Sequence, residues 1–288
     1  MGRWAALAAF GVVFGFPLYW TITMAFKPED EWQPYKGNIW WPRHFTLDNF
    51  TGVLGLRTQK PSPFFEPPIR SAVSAIENSL IAAGGGTLLA LVVGILAAYG
   101  IARFGGGGRG LPLRMLQLRL VPPIVLVIPL FIVWVEFGLW GTLSGLAIIY
   151  AGVTLPFVVW LIRSFLQDLP EESTEAAIAD GCTHWGAFIK VVLPQMKGAI
   201  AATALFVFVL NWGDLLIALF ITNDSTQTAP VLLQSLTSDT FQREFGAQSA
   251  LAVILAVPAV LLGVFAQRYL VQGLTFGAIR GRNSPRRR

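Results

Sequence analysis

The chain has 288 residues, of which 54% are hydrophobic and only 13% charged, and its mean hydropathy is +0.61. Soluble domains carry about a quarter charged residues, so this composition argues against an ordinary soluble enzyme. A single cysteine, Cys182, excludes an internal disulfide and a cysteine-cluster metal site, and His44 and His184 stand too far apart in sequence to offer ligand spacing.

The hydrophobic residues fall into long runs without Asp, Glu, Lys or Arg: Trp4–Phe26, Asn78–Ala102, Phe137–Ile162 and Phe245–Gln267. About 20 helical residues cross a hydrocarbon core about 30 Å thick. Two shorter runs, Leu120–Val135 and Gly198–Gly213, extend past isolated charges. The expectation is an all-α polytopic membrane protein with six transmembrane helices.

In chain order, residues 1–27 form an uncleaved first helix, because its apolar run is longer than the core of a signal peptide. Residues 28–76 form a long external segment rich in Pro and Trp. The remaining spans, within a transmembrane core over 78–270, are expected near 78–102, 111–135, 142–165, 199–221 and 247–270. A basic tail, 271–288, follows. Lys and Arg concentrate in the connections at 103–109 and 163–197 and in the tail, whereas the short loops 136–141 and 222–246 hold only Arg243. That asymmetry places both termini in the cytoplasm. The net charge of +5 thus reads as a topology signal or a contact to anionic membrane lipid, and no stacking-aromatic or basic-helix pattern points to nucleic acid. Gly11-x-x-x-Gly15 and Gly141-x-x-x-Gly145 permit close helix contact, but such spacing also recurs by chance in apolar sequence.

The connection between the fourth and fifth spans, a cytoplasmic loop over 167–197, has its own pattern. Asp168 can cap a helix, Pro170 suits a first turn, and Glu171, Glu172 and Glu175 complement the helix dipole. Alanines follow until Gly181, a C-terminal stop. A second short helix over Thr183–Val192 sets Trp185, Phe188, Ile189 and Val192 on one apolar face, and Pro194 turns the chain back to the membrane. One reading is a helix pair lying on lipid headgroups. The first helix is acidic and small-faced, whereas lipid-surface helices tend to be basic, which favours insertion into a cleft on a protein partner.

Glu175-Ala176-Ala177-x-x-x-Gly181, then nine residues, then Val191-x-Leu193-Pro194, resembles the EAA loop of ABC importer permeases. Trp41–Phe50, Asn78-Ser79-Leu80, Leu96-Ala97-Ala98-Tyr99 and Gln267–Thr275 resemble the carbohydrate-importer branch related to the maltose permease MalG. The resemblance runs through nearly the whole chain and implies a type I ABC importer permease fold. It implies a bacterial inner-membrane subunit that translocates a sugar delivered by an external solute-binding protein or lipoprotein. The partners would be a second homologous permease and two ABC ATPase subunits. No Gly-Lys dipeptide is present, so the chain lacks the phosphate cradle of an ATPase. ATP and Mg would sit in the partner subunits, with no cofactor and no catalytic residue in this chain. By the same resemblance Glu175, Ala176, Ala177, Asp180 and Gly181 form the ATPase-coupling element. Glu175 would be the charged contact, Gly181 the bend, and Leu193 and Pro194 the anchor.

An ionisable group at the centre of a span costs at least about 2.5–3.5 kcal/mol and usually faces the bundle interior. Asp214, in Asn211-Trp212-Gly213-Asp214, is the clearest case. Asn211 and Asp214 could line a sugar path with Trp212 stacking on a ring; equally, Asp214 could end a helix or pair with a cation. The family often carries a Glu close after that Asn, where this chain has Gly213. Arg119 could snorkel to the cytoplasmic face, form an interior ion pair, or gate the pathway. A polyol or glycerol-phosphate importer is the nearest alternative within the class, and a stand-alone secondary transporter the competing one outside it.

Overall fold

The computed structural model describes residues 2–31, 40–56, 72–108, 110–117, 120–236 and 245–280, and the side chains of these except 29, 112 and 266–280. Among the described residues all regular structure is helical. Four helices are long and apolar enough to cross a membrane, and a fifth span forms if a pair bent by 73° counts as one.

Helix α1 covers Gly2–Ala25, with Pro17 inside it. A single 3₁₀ turn, Glu29–Glu31, and helix α2, Asp48–Val53, lie in the expected external segment. Helix α3, Ala72–Phe104, begins six residues before the expected span, so Glu77 and Asn78 stand inside it. Helix α6, Leu143–Asp168, runs three residues past its expected end. Asp168 therefore closes α6 rather than capping the helix that follows. Helix α13, Phe245–Arg280, extends through residues expected as tail.

Two expected spans are broken. The third divides into α4, Leu111–Gln117, and α5, Pro123–Glu136. Pro122 is extended, with φ −56° and ψ 129°, as a residue before proline prefers; Pro123 opens α5, where a missing N–H costs nothing. The 14 residues of α5 rise about 21 Å, short of a hydrocarbon core. The fifth divides into α10, Lys197–Trp212, and α11, Leu216–Ile221, around Gly213. Helix α12, Ala229–Ser235, precedes α13.

The chain forms two compact units. One comprises 1–79 and 227–259, with a core of Val53, Ala72, Ala75, Ala229, Leu232, Ala247 and Leu251. Asn78 and Ser79 organise it: Asn78 Nδ2 donates to the Gln227 carbonyl at 3.0 Å, and Ser79 Oγ accepts the Ala229 N–H at 2.8 Å. The motif at 41–50 closes the end of α1. Asn49 Nδ2 donates to the carbonyl of Ala25 (2.9 Å), which the helix end leaves unmatched, and to that of Lys27 (2.8 Å) just beyond it. Phe45 and Phe50 pack on Phe26. Glu31 is buried and accepts the N–H groups of Arg43 and His44. Lys27 is only 1% exposed; burial lowers its pKa, and the charge of Glu31 opposes that shift.

The second unit comprises 80–226 and 260–288. Its core joins α3, α6 and α10 through Ala90, Ala98, Tyr99, Val158, Ile162 and Val207. Gly86 and Gly94 permit the approach of α3 to α6. A Cβ on Gly86 would stand 2.7 Å from the Tyr150 Cβ, and one on Gly94 would stand 2.5 Å from the Val158 Cγ1. Of the Gly-x-x-x-Gly residues noted in the sequence, Gly145 permits a close approach, since a Cβ there would stand 2.9 Å from Trp134 Nε1 of α5. Gly11 and Gly15 meet open space, while Gly141, at φ +72°, turns beside Asn223.

Candidate functional site

The segment between α6 and α10 folds as two short helical stretches. Helix α7 covers Glu172–Ala179, with Glu171 at its N-cap position. It ends as the spacing predicts. Gly181 has φ +90°, its N–H donates to the Ile178 carbonyl, and the Cys182 N–H donates to the Ala177 carbonyl, both at 3.0 Å. This pair of bonds is the Schellman closure that a left-handed residue permits. Of the predicted coupling residues, Glu175, Ala176, Asp180 and Gly181 are exposed and Ala177 is half-buried. Thr174 is the buried residue of α7.

Thr183 starts the second stretch by accepting the Gly186 N–H at 3.0 Å. Helix α8, His184–Ala187, leads into a π-helical turn, Phe188–Val192, and then into α9, Leu193–Gln195. Pro194 explains the widened turn. It has no N–H to donate and its ring would crowd the carbonyl four residues back, so the helix opens to five-residue spacing ahead of it. The chain then bends by 73° into α10. The bend falls at Met196, buried in the core, two residues beyond the expected turn at Pro194. Leu193 packs on that core, while Pro194 is exposed.

The expected apolar face splits. Phe188 and Val192 are buried, as is Ala187, whereas Trp185 is 57% and Ile189 45% exposed. The widened turn breaks the 3.6-residue period on which the single face was based.

The last turns of α3 meet this segment at three points that the sequence did not single out. Tyr99 lies 4.5 Å from Phe188 between ring centroids, Phe104 meets His184 edge-on at 5.9 Å, and Arg103 forms an ion pair with Glu171. The motif Leu96-Ala97-Ala98-Tyr99 was the available signal, but it carried no role.

The residues expected at a sugar path gather around the α10–α11 break. Asn211 is buried and donates to Thr87 Oγ1 at 3.2 Å. Trp212 is buried and stacks on Phe208 at 5.8 Å. One oxygen of Asp214, Oδ2, accepts the N–H groups of Ile217 and Ala218 at 3.1 and 3.2 Å, and accepts the Tyr150 hydroxyl at 3.2 Å. Asp214 thus occupies the start of α11, in the role of a capping carboxylate. Thr87 and Tyr150 were not foreseen, since nothing local marks a hydroxyl whose partner is remote in sequence. Arg119 lies outside the described residues. Among those described, no group of His, Cys, Asp or Glu is arranged to hold a metal ion.

A family model described as "Binding-protein-dependent transport system inner membrane component" matches residues 90–276. The chain belongs to this family. It is an ABC transporter permease of the sugar-transport branch. Permease SugB of the trehalose transport system of Mycobacterium tuberculosis is 32% identical over 96% of this chain and 97% of its own. MalG of the trehalose/maltose transport system of Thermococcus litoralis is 30% identical over 92% of this chain and 91% of its own. A bacterial ABC transporter that imports the acidic polysaccharide alginate has a chain of the same fold. That chain is 16% identical, with a TM-score of 0.72 over 93% of this permease and 94% of its own length.

Proposed function

We propose that this permease is the membrane-spanning subunit of a bacterial ATP-driven importer that moves a disaccharide-sized sugar handed over by an external solute-binding protein. The observation that carries the reading is α7. An acidic, alanine-rich helix stands exposed at Glu175, Ala176 and Asp180, while the stretch after it is rooted in the core through Phe188, Val192 and Met196. Such a helix is a rigid knob that a cleft on another subunit can grip. Two ATPase subunits, holding ATP and Mg, would dock there, and a second homologous permease would complete a heterodimer. Leu193 and Pro194 would anchor the knob. SugB and MalG, whose names specify trehalose and trehalose/maltose, support a sugar over a polyol.

In this reading α4 with α5 forms the third span and α10 with α11 the fifth, giving six spans, both termini in the cytoplasm and 167–197 on that same side. Asn211, Trp212 and Asp214 shape the α10–α11 break, which would border the sugar path, and Arg119 would be the cation of that path. The test is Glu175→Lys in the intact importer, scored as sugar uptake against ATP hydrolysis. Uptake should be lost while hydrolysis persists, because the substitution sets positive charge at the docking cleft. Unchanged uptake would remove Glu175 from the coupling role.

A further inference from the structure

Helix α7 buries little of its own surface. Its buried residue is Thr174, and its other side chains are half-buried or exposed. A helix that must pass force to the membrane needs a fixed connection, and the geometry offers one at its N-terminal end. The Arg103 side chain is only 12% exposed, whereas Glu171, its ion-pair partner, is 71% exposed. The two are 68 residues apart in sequence. The guanidinium directs Nη1 at the carboxylate, and its Nε and Nη2 are buried without an acceptor among the described residues. An exposed pair between two mobile side chains contributes little. Here one partner is already held by burial, so less entropy is lost on pairing, while the exposed carboxylate leaves the pair partly screened by water.

The neighbouring contacts act in the same place. Tyr99 and Arg103 lie four residues apart, on one face of α3, and Phe104 follows directly. Through these three residues α3 touches the start of α7, the start of α8 and the π-helical turn. The two aromatic contacts hold the second stretch; the ion pair alone among them reaches α7.

We propose that Arg103 is a positioning residue that ties the coupling helix to α3 through Glu171, so that displacement of α7 by a docked ATPase moves α3 instead of merely tilting α7. The proposal rests on the reading of the 167–197 loop as the coupling element. Neutralising either partner should uncouple to a similar extent, since either change cuts the tie. A purely structural pair would behave asymmetrically. Removing Glu171 would strand a buried cation, whereas removing Arg103 would leave a carboxylate in water.

The experiment uses the purified importer with its partner subunits in liposomes, with Cys182→Ser as the reference. In that background Arg103→Cys and Glu171→Cys are introduced together, which removes both charges and strands neither. Sugar transported per ATP hydrolysed should fall about fivefold or more, and bridging the two cysteines with a short bis-maleimide should restore most of it, because a covalent link replaces the ion pair. Wild-type transport per ATP in the unbridged variant, or no recovery in the bridged one, would overturn the proposal. Glu175→Lys, measured alongside, separates the two ideas. If it uncouples while the 103/171 variant does not, the tie fails alone; if it too is without effect, the loop reading fails.

Discussion

Tyr150 on α6 donates its hydroxyl hydrogen to Asp214, 64 residues further along the chain, at 3.2 Å. The same oxygen, Oδ2, receives the N–H groups of Ile217 and Ala218 in the first turn of α11, so one carboxylate both starts α11 and fastens the α10–α11 break to a neighbouring helix. In hydrocarbon the alternative for those N–H groups would be no partner at all.

Asp214→Ala should therefore destabilise the fold by about 1–2 kcal/mol, the usual worth of a cap, and Asp214→Asn, which keeps an acceptor oxygen, by less. Tyr150→Phe removes only the hydroxyl bond and should cost about 1 kcal/mol. Thermal unfolding of the detergent-solubilised importer, followed by size-exclusion fluorescence, gives the order Ala, then Phe and Asn. Equal midpoints for all three and the wild type would show that the carboxylate has no structural role.

At the α3–α6 crossing, Gly94→Ala places a methyl group against Val158, in a contact that real Cβ atoms do not make. Overpacking of this kind costs about 1–3 kcal/mol. Gly11→Ala adds a methyl that meets nothing within 4 Å and should leave the midpoint unchanged or raise it slightly, since Ala favours a helix over Gly. Comparison of the two melting curves decides whether glycine spacing or actual approach marks a helix contact in this permease.

Within the 167–197 loop, Gly181 is the position where a side chain would be strained by the backbone alone, at φ +90°. Gly181→Ala should cost about 1 kcal/mol and displace α7, lowering uptake more than it lowers the amount of folded protein. Uptake per molecule equal to wild type would show that the angle between α7 and α8 does not matter.

Lys27 supplies a pH dependence. Burial lowers its pKa from the ordinary 10.5, so between the folded value and 10.5 the unfolded chain binds more protons than the folded one. Stability must then rise with pH across that window. Glu31→Gln removes the charge that opposes the shift, so the window should widen downward and the rise should begin at lower pH. Melting midpoints taken from neutral to alkaline pH test this; a curve for Glu31→Gln parallel to wild type would contradict it.

Much of this architecture was legible in the chain. Charge-free runs locate α1, α3, α6 and α13, because only length and apolarity are needed to satisfy a bilayer. The end of α7 was legible in Gly181, because a left-handed closure needs glycine locally. What was not legible depends on partners remote in sequence. Arg103 reads as a topology charge until Glu171 is beside it, and Asp214 reads equally as a path residue or a cap until Tyr150 and Ala218 converge on it. The apolar face drawn through Trp185 and Ile189 failed for a local reason: Pro194 changes the helical period upstream of itself, which a fixed 3.6-residue wheel does not register.

The central claim is that α7 is gripped by an ATPase. The most direct measurement is to tag this permease in its native cell, extract it in mild detergent, and identify the proteins that co-purify with wild type and with Glu175→Lys. A protein with an ATP-binding Walker motif should accompany the wild type, together with a second related permease, and a site-specific photocrosslinker placed at Ala176 should capture the ATPase. A homogeneous homo-oligomer without any ATPase, recovered under the same gentle conditions, would contradict the account and revive a stand-alone transporter.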